Sequence, residues 1–378
     1  MGRPRQSGCP WRCIACAIMP AVKLREIGEF ELIGRMAAVF QSGGLEAASL
    51  RPRFPGLAVG IGDDAAVWKS SGGVHTVATI DAMVEGVHFT RSTTGWYDLG
   101  WKAMASNISD IAGMGATPRY ALVALAAPSD EEVDDVLQLC RGMAELAERY
   151  GVLVVGGDTV SAPLVMVTIT VVGETLGGLG TEDRPALLSR FAGRPGDAVA
   201  VTGRLGSSGG GLALLLKRLA PIPKSMETLL EAHRRPMPRV REGQLLVEAG
   251  VRCGMDLSDG LAGDLKRICL ASGVDALVEV EKLPIDPVLR DRFGERAIDL
   301  ALYGGEDYEL LCAAPFQTMA KAQRLLQEVG ATLTVIGRLV ERDPSRPPVT
   351  LIGANGEAYA PSRSGWEHFA ADGEPTGA

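Results

Sequence analysis

Apolar residues recur at every third or fourth position in two long stretches of the chain. From Tyr97 to Met114 they place Trp101, Met104, Ala105 and Ile108 on one side of a helix. From Ser129 to Tyr150 they set Val133, Val136, Leu137, Cys140 and Ala144 at the same spacing. Ser129 and Glu132 there are placed for a capping box, and Gly151 for the stop. Ile27 to Phe40 predicts an earlier helix with Ile27, Leu32, Ile33 and Met36 as its stripe. Alternation replaces this period at Leu164–Gly173, where Val165, Val167, Ile169 and Val171 share one face of a strand. Shorter apolar runs at Ala58–Ile61, Val74–Ile80, Ala121–Ala126 and Val152–Val155 predict further strands.

Between Gly173 and Pro195 the pattern lapses into Gly, Thr, Arg and Pro, as a linker would. It resumes with strands at Asp197–Thr202, Ala276–Val280 and Leu333–Ile336. Helices are predicted at Ser208–Leu219, Leu261–Leu270 and Thr318–Val329, with another running from Pro236–Pro238 to Glu248. Both halves mix the two element types, so the fold class is α/β (or α+β) in two domains, residues 23–175 and 196–369, with a linker at 176–195. A length of 378 residues agrees with two domains. Residues 1–22 carry Cys9, Cys13 and Cys16 outside any regular pattern. They read as a disordered extension or as sequence ahead of a true start at Met19, and residues 370–378 as a disordered tail.

Composition narrows the classes. Glycine supplies 47 of 378 residues, above the usual ~7% and without a collagen period, so turns and close backbone approaches take the surplus. A formal charge of -8 argues against nucleic acid as a partner, and no run of about 18 apolar residues is present to span a membrane. Seven cysteines without framework spacing fit a reducing cytoplasm. The Cys9–Cys13–Cys16 group lacks a nearby fourth ligand for zinc.

The chemistry signal is a set of carboxylates at the ends of apolar runs. Asp63 and Asp64 follow one short run, Asp81 another, and Asp158 a third, in VGGDT. Asp110 lies in NISD, Asp256 and Asp259 bracket Ser258 in DLSDG, and Glu306 and Asp307 follow two glycines. Any one of these is an ordinary turn, but the whole set is not accounted for by turns. Carboxylates gathered in one cleft repel one another unless protonated or neutralised by cations, and magnesium with polyphosphate is the usual reason to gather them. Thr202–Gly211, TGRLGSSGGG, follows a strand and opens a helix, which makes it a candidate phosphate loop or a structural turn. Lys102 shares a helix with Asp110 and reads as a solvated charge or a phosphate contact, whereas Arg190 offers a guanidinium fork suited to phosphate.

In order along the chain stand GEFELI (28–33), GIGDDAAV (60–67), DAMVEGVHF (81–89), KAMASNISDIAGMGATP (102–118), GGDT (156–159), DLSDG (256–260), GGEDYELL (304–311) and GWEHF (365–369). Together they resemble the thiamine-monophosphate kinase family, within the aminoimidazole ribonucleotide synthetase-like superfamily. The resemblance implies a two-domain fold whose first sheet meets its twin in a barrel-like dimer interface, followed by a second α/β domain. It implies ATP-dependent phosphorylation of thiamine phosphate to thiamine diphosphate, by a cytoplasmic homodimer without nucleic-acid or membrane partners. Carried onto this chain, Asp64, Thr79, Ile80, Asp81, Asp110, Asp158, Asp256 and Asp259 would hold Mg2+. Gly157, Asp158, Arg190 and Ser258 would contact ATP, and His88, Glu306 and Trp366 the thiamine substrate, with Asp110, Asp158 and Arg190 at the chemistry. The family has Ser or Thr in the slot that holds Ile80 here. Sister enzymes fit less well: the last cysteine, Cys312, is far from the terminus, where hydrogenase maturation proteins of this type keep a reactive one.

Overall fold

The computed structural model describes residues 26–27, 31–36, 56–70, 74–181, 184–217 and 224–359. Cys9, Cys13, Cys16, Met19, Trp366 and residues 370–378 lie outside the described residues. Of the helix expected over 27–40, residues 27 and 31–36 are described, and they are helical.

The first half is built on a sheet in the order β1-β2-β3-β6-β4-β5. Its strands are β1 (Leu57–Val59), β2 (Ala66–Lys69), β3 (His75–Val84), β4 (Thr117–Ala127), β5 (Leu153–Ser161) and β6 (Met166–Glu174). Neighbours are antiparallel except β4 and β5, whose parallel pairing requires a crossover. Helix α2 (Val133–Arg149) supplies it, packed beside α1 (Trp96–Gly113). Val77 of β3 and Val167, Ile169 and Val171 of β6 form the buried side of the sheet. The two helices touch backbone to backbone: a Cβ on Gly142 would overlap the Tyr97 carbonyl, and one on Gly100 the Leu139 carbonyl.

The second half carries the order β10-β12-β9-β13-β11-β14. Here the strands are β9 (Ala198–Thr202), β10 (Cys253–Asp256), β11 (Val274–Glu279), β12 (Leu310–Ala314), β13 (Leu333–Glu341) and β14 (Val349–Ile352). Its helices are α3 (Ser207–Leu216), α4 (Glu227–Arg234), α5 (Val240–Ala249), α6 (Leu261–Ser272), α7 (Pro287–Phe293), α8 (Arg296–Tyr303) and α9 (Phe316–Glu328). A two-stranded ribbon, β7 (Gly180–Thr181) with β8 (Arg184–Pro185), lies between the halves. Neither large sheet closes on itself among the described residues. One apolar core joins α1 and the first sheet to Leu246 of α5 and to Cys312, Met319 and Leu326 of the second half. A second core, with Val201, Leu265 and Val278, stays within the second half. The four described cysteines are free, and no helix among the described residues is long and apolar enough to cross a membrane.

Several expectations need correcting. Strand β3 continues through Asp81 to Val84, and β5 through Asp158 to Ser161, so both carboxylates sit inside strands. The ladder, not the apolar run, sets the length: Asp81 pairs with Ile169, and Asp158 with Ala124. The capping box does not form. Helix α2 starts behind Glu132 without a side-chain cap, and Asp134 and Asp135 in its first turn favour its positive end instead. The elements that periodicity missed, such as β2, β10, β12 and β14, have 4 or 5 residues, too few to show a period. Part of the stretch expected as linker is packed: Ala186, Leu187 and Leu188 are buried, and the Leu188 amide donates to the Met114 carbonyl at 3.1 Å.

Because the α1–α2 contact leaves no room for a methyl group, Gly142→Ala should cost about 2 kcal/mol or more in urea unfolding. An unchanged midpoint would mean the helices move apart freely.

Candidate functional site

Helix α1 is buried almost throughout, yet it is not apolar all round. Lys102, Ser106, Ser109, Asp110 and Gly113 fall four, seven, eight and eleven residues apart from the first, which puts them along one side. The lower part of this stripe gathers carboxylates from three segments. Ser109 Oγ donates to Asp256 Oδ2, at the end of β10, at 2.6 Å. Thr79 Oγ1, on β3, lies 2.6 Å from Asp110 Oδ2 and 3.2 Å from the Asp64 carbonyl. Gly113 leaves room for Asp64, since a Cβ there would stand 2.7 Å from Asp64 Oδ2. Asn107 Oδ1 accepts from the Asp81 amide at 3.0 Å.

Water is largely excluded from Asp64 and Asp256, less so from Asp110, and burial shifts these carboxyls toward their protonated forms. Burial pushes Asp110 well above the usual carboxylate range, helped by the charges of Asp81, Asp256 and Asp64. Burial does the same to Asp256, with Asp64 adding to it. Asp64 also rises through burial, although Arg190 pulls the other way. Arg190 Nε donates to Asp64 Oδ1 at 3.0 Å, with Nη2 on the same oxygen, and its backbone amide faces the Asp63 carboxylate at 3.2 Å. Burial and Asp64 raise Asp63 to about 6.

A second guanidinium adjoins this group. Arg267 on α6 pairs with Asp259 and, at 2.9 Å, with Asp264. Asp264 also accepts from the Ser258 and Asp259 amides, at 3.1 and 3.2 Å, and burial raises it to about 7. Among the described residues no three His, Cys, Asp or Glu side chains converge as a ready metal cage. Magnesium does not require one, since it binds through one or two carboxylates and completes its shell with water and phosphate oxygens. The donors present are oxygens, the type a hard cation takes.

At the other end of the stripe Lys102 is 1% exposed, so the solvated reading is wrong. Its Nζ donates to Glu306 Oε2 at 2.8 Å and lies 3.4–3.5 Å from both ring nitrogens of His233. His233 is pushed down to about 3 by burial and by the Lys102 ammonium, and is neutral. Burial would raise the Glu306 carboxyl, but the Lys102 ammonium beside it outweighs that and holds it below its usual range. Glu306 sits at φ +56, with its amide donating to the Ser258 carbonyl at 2.7 Å, which ties GGEDY to DLSDG. His88 lies within electrostatic range of Glu306, and its Nδ1 accepts from the Val84 amide at 3.0 Å. Tyr308 is buried within range of Glu306 and of Asp81, Asp256 and Asp110, so the two ends of the stripe form one region.

Thus Asp64, Thr79, Asp81, Asp110, Asp256 and Arg190 come together, with Ser258 and Asp259 beside them through Asp264 and Arg267. The Ile80 side chain does not join them, being 64% exposed on the far face of the sheet, and the neighbouring hydroxyl on the near face is that of Thr79. Asp158 and Gly157 stand apart on β5, which is exposed along its whole length. Asp158 pairs with Ala124, in the row that continues through Thr168 to Ala82, and so shares Ile80's face. Gly157 has a packing reason, since a Cβ there would overlap the Val123 carbonyl. Sequence reasoning did not single out His233, Asn107, Ser109, Asp264, Arg267 or Tyr308; only the helical spacing from Lys102 to Asp110 hinted at Ser109.

The candidate phosphate loop is closed from within. The Gly206 and Ser208 amides, at the start of α3, donate to the Asp307 carboxylate at 2.6 and 3.1 Å. Asp307 is an internal anion doing what a phosphate would do there, and burial raises it to about 7. Asp307→Ala should therefore lower stability by about 1–2 kcal/mol in urea unfolding while nucleotide affinity stays within about threefold. A large loss of nucleotide affinity without loss of stability would return the loop to the phosphate site.

Residues 62–175 match the family model described as AIR synthase related protein, N-terminal domain, and residues 194–348 the corresponding C-terminal domain. The chain is 38% identical over 317 residues to the thiamine-monophosphate kinase of Bacillus subtilis (strain 168), covering 82% of this chain and 93% of that one. It is 33% identical over 345 residues to that of Escherichia coli (strain K12), covering 91% and 98%. Among solved structures, "AaThiL complexed with AMPPCP and TMP" superposes with a TM-score of 0.76 at 29% identity, covering 93% of this chain and 100% of that one. The thiamine-monophosphate kinase of Stenotrophomonas maltophilia K279a gives a TM-score of 0.68 at 33% identity, covering 88% and 98%. With this identity maintained over nearly the full length of its relatives, and both halves matched in order, the chain belongs to the thiamine-monophosphate kinase family.

Proposed function

We propose that this protein transfers the γ-phosphoryl group of ATP to thiamine phosphate, giving thiamine diphosphate and ADP. The observation that carries this reading is the polar stripe of α1. It joins a largely buried carboxylate cluster to a second region at Lys102 and Glu306, about 12 Å away along the helix at ~1.5 Å per residue. The binding of AMPPCP and TMP by the structural relative supports the same two ligands here.

In this reading Asp64, Asp81, Asp110, Asp256 and Asp259 hold Mg2+, with Thr79 and the Ile80 backbone adjoining. When bound, Mg2+ would supply positive charge to the phosphate oxygens. Arg190 and Ser258 would contact ATP, with Gly157 supplied, like Asp158, across a dimer interface, and His88, Glu306 and Trp366 would contact the acceptor. The acceptor atom is a phosphate oxygen, already ionised near neutral pH, so no general base is needed and no nucleophile is assigned on the protein. Arg190 screens the approach of the two anions, its fork matching phosphate as well as the carboxylate it now holds. Transfer is then direct and in line.

The outer face of the first sheet points to a homodimer. Ile80, Leu122 and Met166 expose apolar side chains there, and β5 is an open edge with Val155 53% exposed. An exposed apolar edge and face of this kind is an aggregation hazard unless another chain covers it. A second copy seated on this face would give the barrel-like interface, and would carry Asp158 toward the partner's cluster.

Purified protein should convert thiamine phosphate to the diphosphate with ATP and Mg2+. Asp110→Asn should reduce kcat by about 100-fold or more while stability holds, because Asn has nearly the shape of the protonated carboxyl that burial favours there. Full turnover in that variant would take Asp110 out of the site. Mixing separately inactive Asp110→Asn and Asp158→Asn chains should restore activity, because one site of each mixed dimer is intact when Asp158 acts across the interface. No recovery, with mixed dimers demonstrated by mass, would place Asp158 in its own chain's site.

A further inference from the structure

Glu306 is an unusual choice for meeting a cationic ring, because its charge is already balanced. Lys102 Nζ stands 2.8 Å from Oε2, and His233 Nδ1 lies 3.4 Å from the same oxygen. Lys102 is sealed from solvent while the Glu306 side chain remains 25% exposed, so the pair offers a neutral unit with one open carboxylate edge. Such a unit gains little from a nearby positive charge, but its free oxygen still accepts strongly from an N–H donor.

Spacing along α1 agrees. Eight residues separate Lys102 from Asp110, about 12 Å at ~1.5 Å per residue. If the phosphate of the acceptor meets ATP at the aspartates, the group at Glu306 is the far end of an extended thiamine phosphate. That end is the aminopyrimidine, which carries N–H donors; the thiazolium adjoins the phosphate arm.

We propose that Lys102 is a positioning residue for acceptor specificity: it fixes the Glu306 carboxylate and cancels its charge, so that the open carboxylate edge reads the amino edge of the pyrimidine and not the charge of the thiazolium. Buried His233, braced by Ser208 Oγ at 3.1 Å from its Nδ1, fills the space behind the pair without adding a charge. The proposal rests on the reading of Glu306 as an acceptor contact.

The test compares kcat/KM for thiamine phosphate with that for the analogue bearing oxygen in place of the pyrimidine amino group. The wild-type protein should prefer the amino compound by about 100-fold or more, because an oxo group cannot donate to a carboxylate. Lys102→Met and Glu306→Gln should each reduce that preference to about tenfold or less. In Lys102→Met the loss should appear in KM for the acceptor, with KM for ATP unchanged. Should Lys102→Met not fold, Lys102→Gln carries the same comparison without a buried charge. If Glu306→Gln loses the preference and the Lys102 variant keeps it, Lys102 is a structural residue and the proposal is overturned. If Glu306→Gln keeps it, the reading of Glu306 itself fails and takes the proposal with it.

Discussion

Three carboxyl groups, those of buried Asp64 and Asp256 and half-buried Asp110, lie close to one another, and they cannot all be ionised without positive charge nearby. The constraint arises from α1, which is covered on nearly every side and still turns Ser109, Asp110 and Gly113 toward the same point. Arg190 relieves part of the repulsion at Asp64, and burial favours the protonated forms of Asp110 and Asp256. A protein that only needed stability would do better with apolar side chains in these positions. The arrangement makes physical sense as a receptor for cations and the phosphates that accompany them.

The same helix explains why two domains are needed. Its apolar sides anchor it against the first sheet and α5, while its polar side faces β10 and the loop that holds Glu306. Each half alone would leave part of the stripe in water, where the carboxylates would ionise separately and lose their coupling. The DLSDG and GGEDY segments are linked by the Glu306-to-Ser258 hydrogen bond, so displacement of one displaces the other.

Much of this was legible in the sequence, and the reasons it stopped are specific. The acidic motifs and the order of strands and helices were visible because apolar runs and Asp spacing survive as local patterns. The partners of those residues were not, because they come from distant segments: Lys102 meets Glu306 across 204 positions, and Ser109 meets Asp256 across 147. Lys102 looked like a surface charge since a lone lysine on a helix gives no sign of what packs over it. The glycine-rich loop was ambiguous for a related reason, as its anion turned out to be Asp307, about a hundred residues away. The ends of β3 and β5 were misplaced because polar residues at ladder positions do not end a strand whose neighbours continue. Asp158 is the residue that a single chain leaves without explanation.

The most direct test of the central idea is to count protons when Mg2+ and a non-hydrolysable ATP analogue bind. Calorimetry at pH 7 in two buffers of different ionisation enthalpy measures this. Carboxyls held protonated by burial must give up their protons to accept a cation, so the heats should differ by an amount equal to release of about one proton or more per chain. Binding heats identical in the two buffers would show that the aspartates are already ionised in the free protein, and the account of a strained, cation-seeking cluster would be wrong.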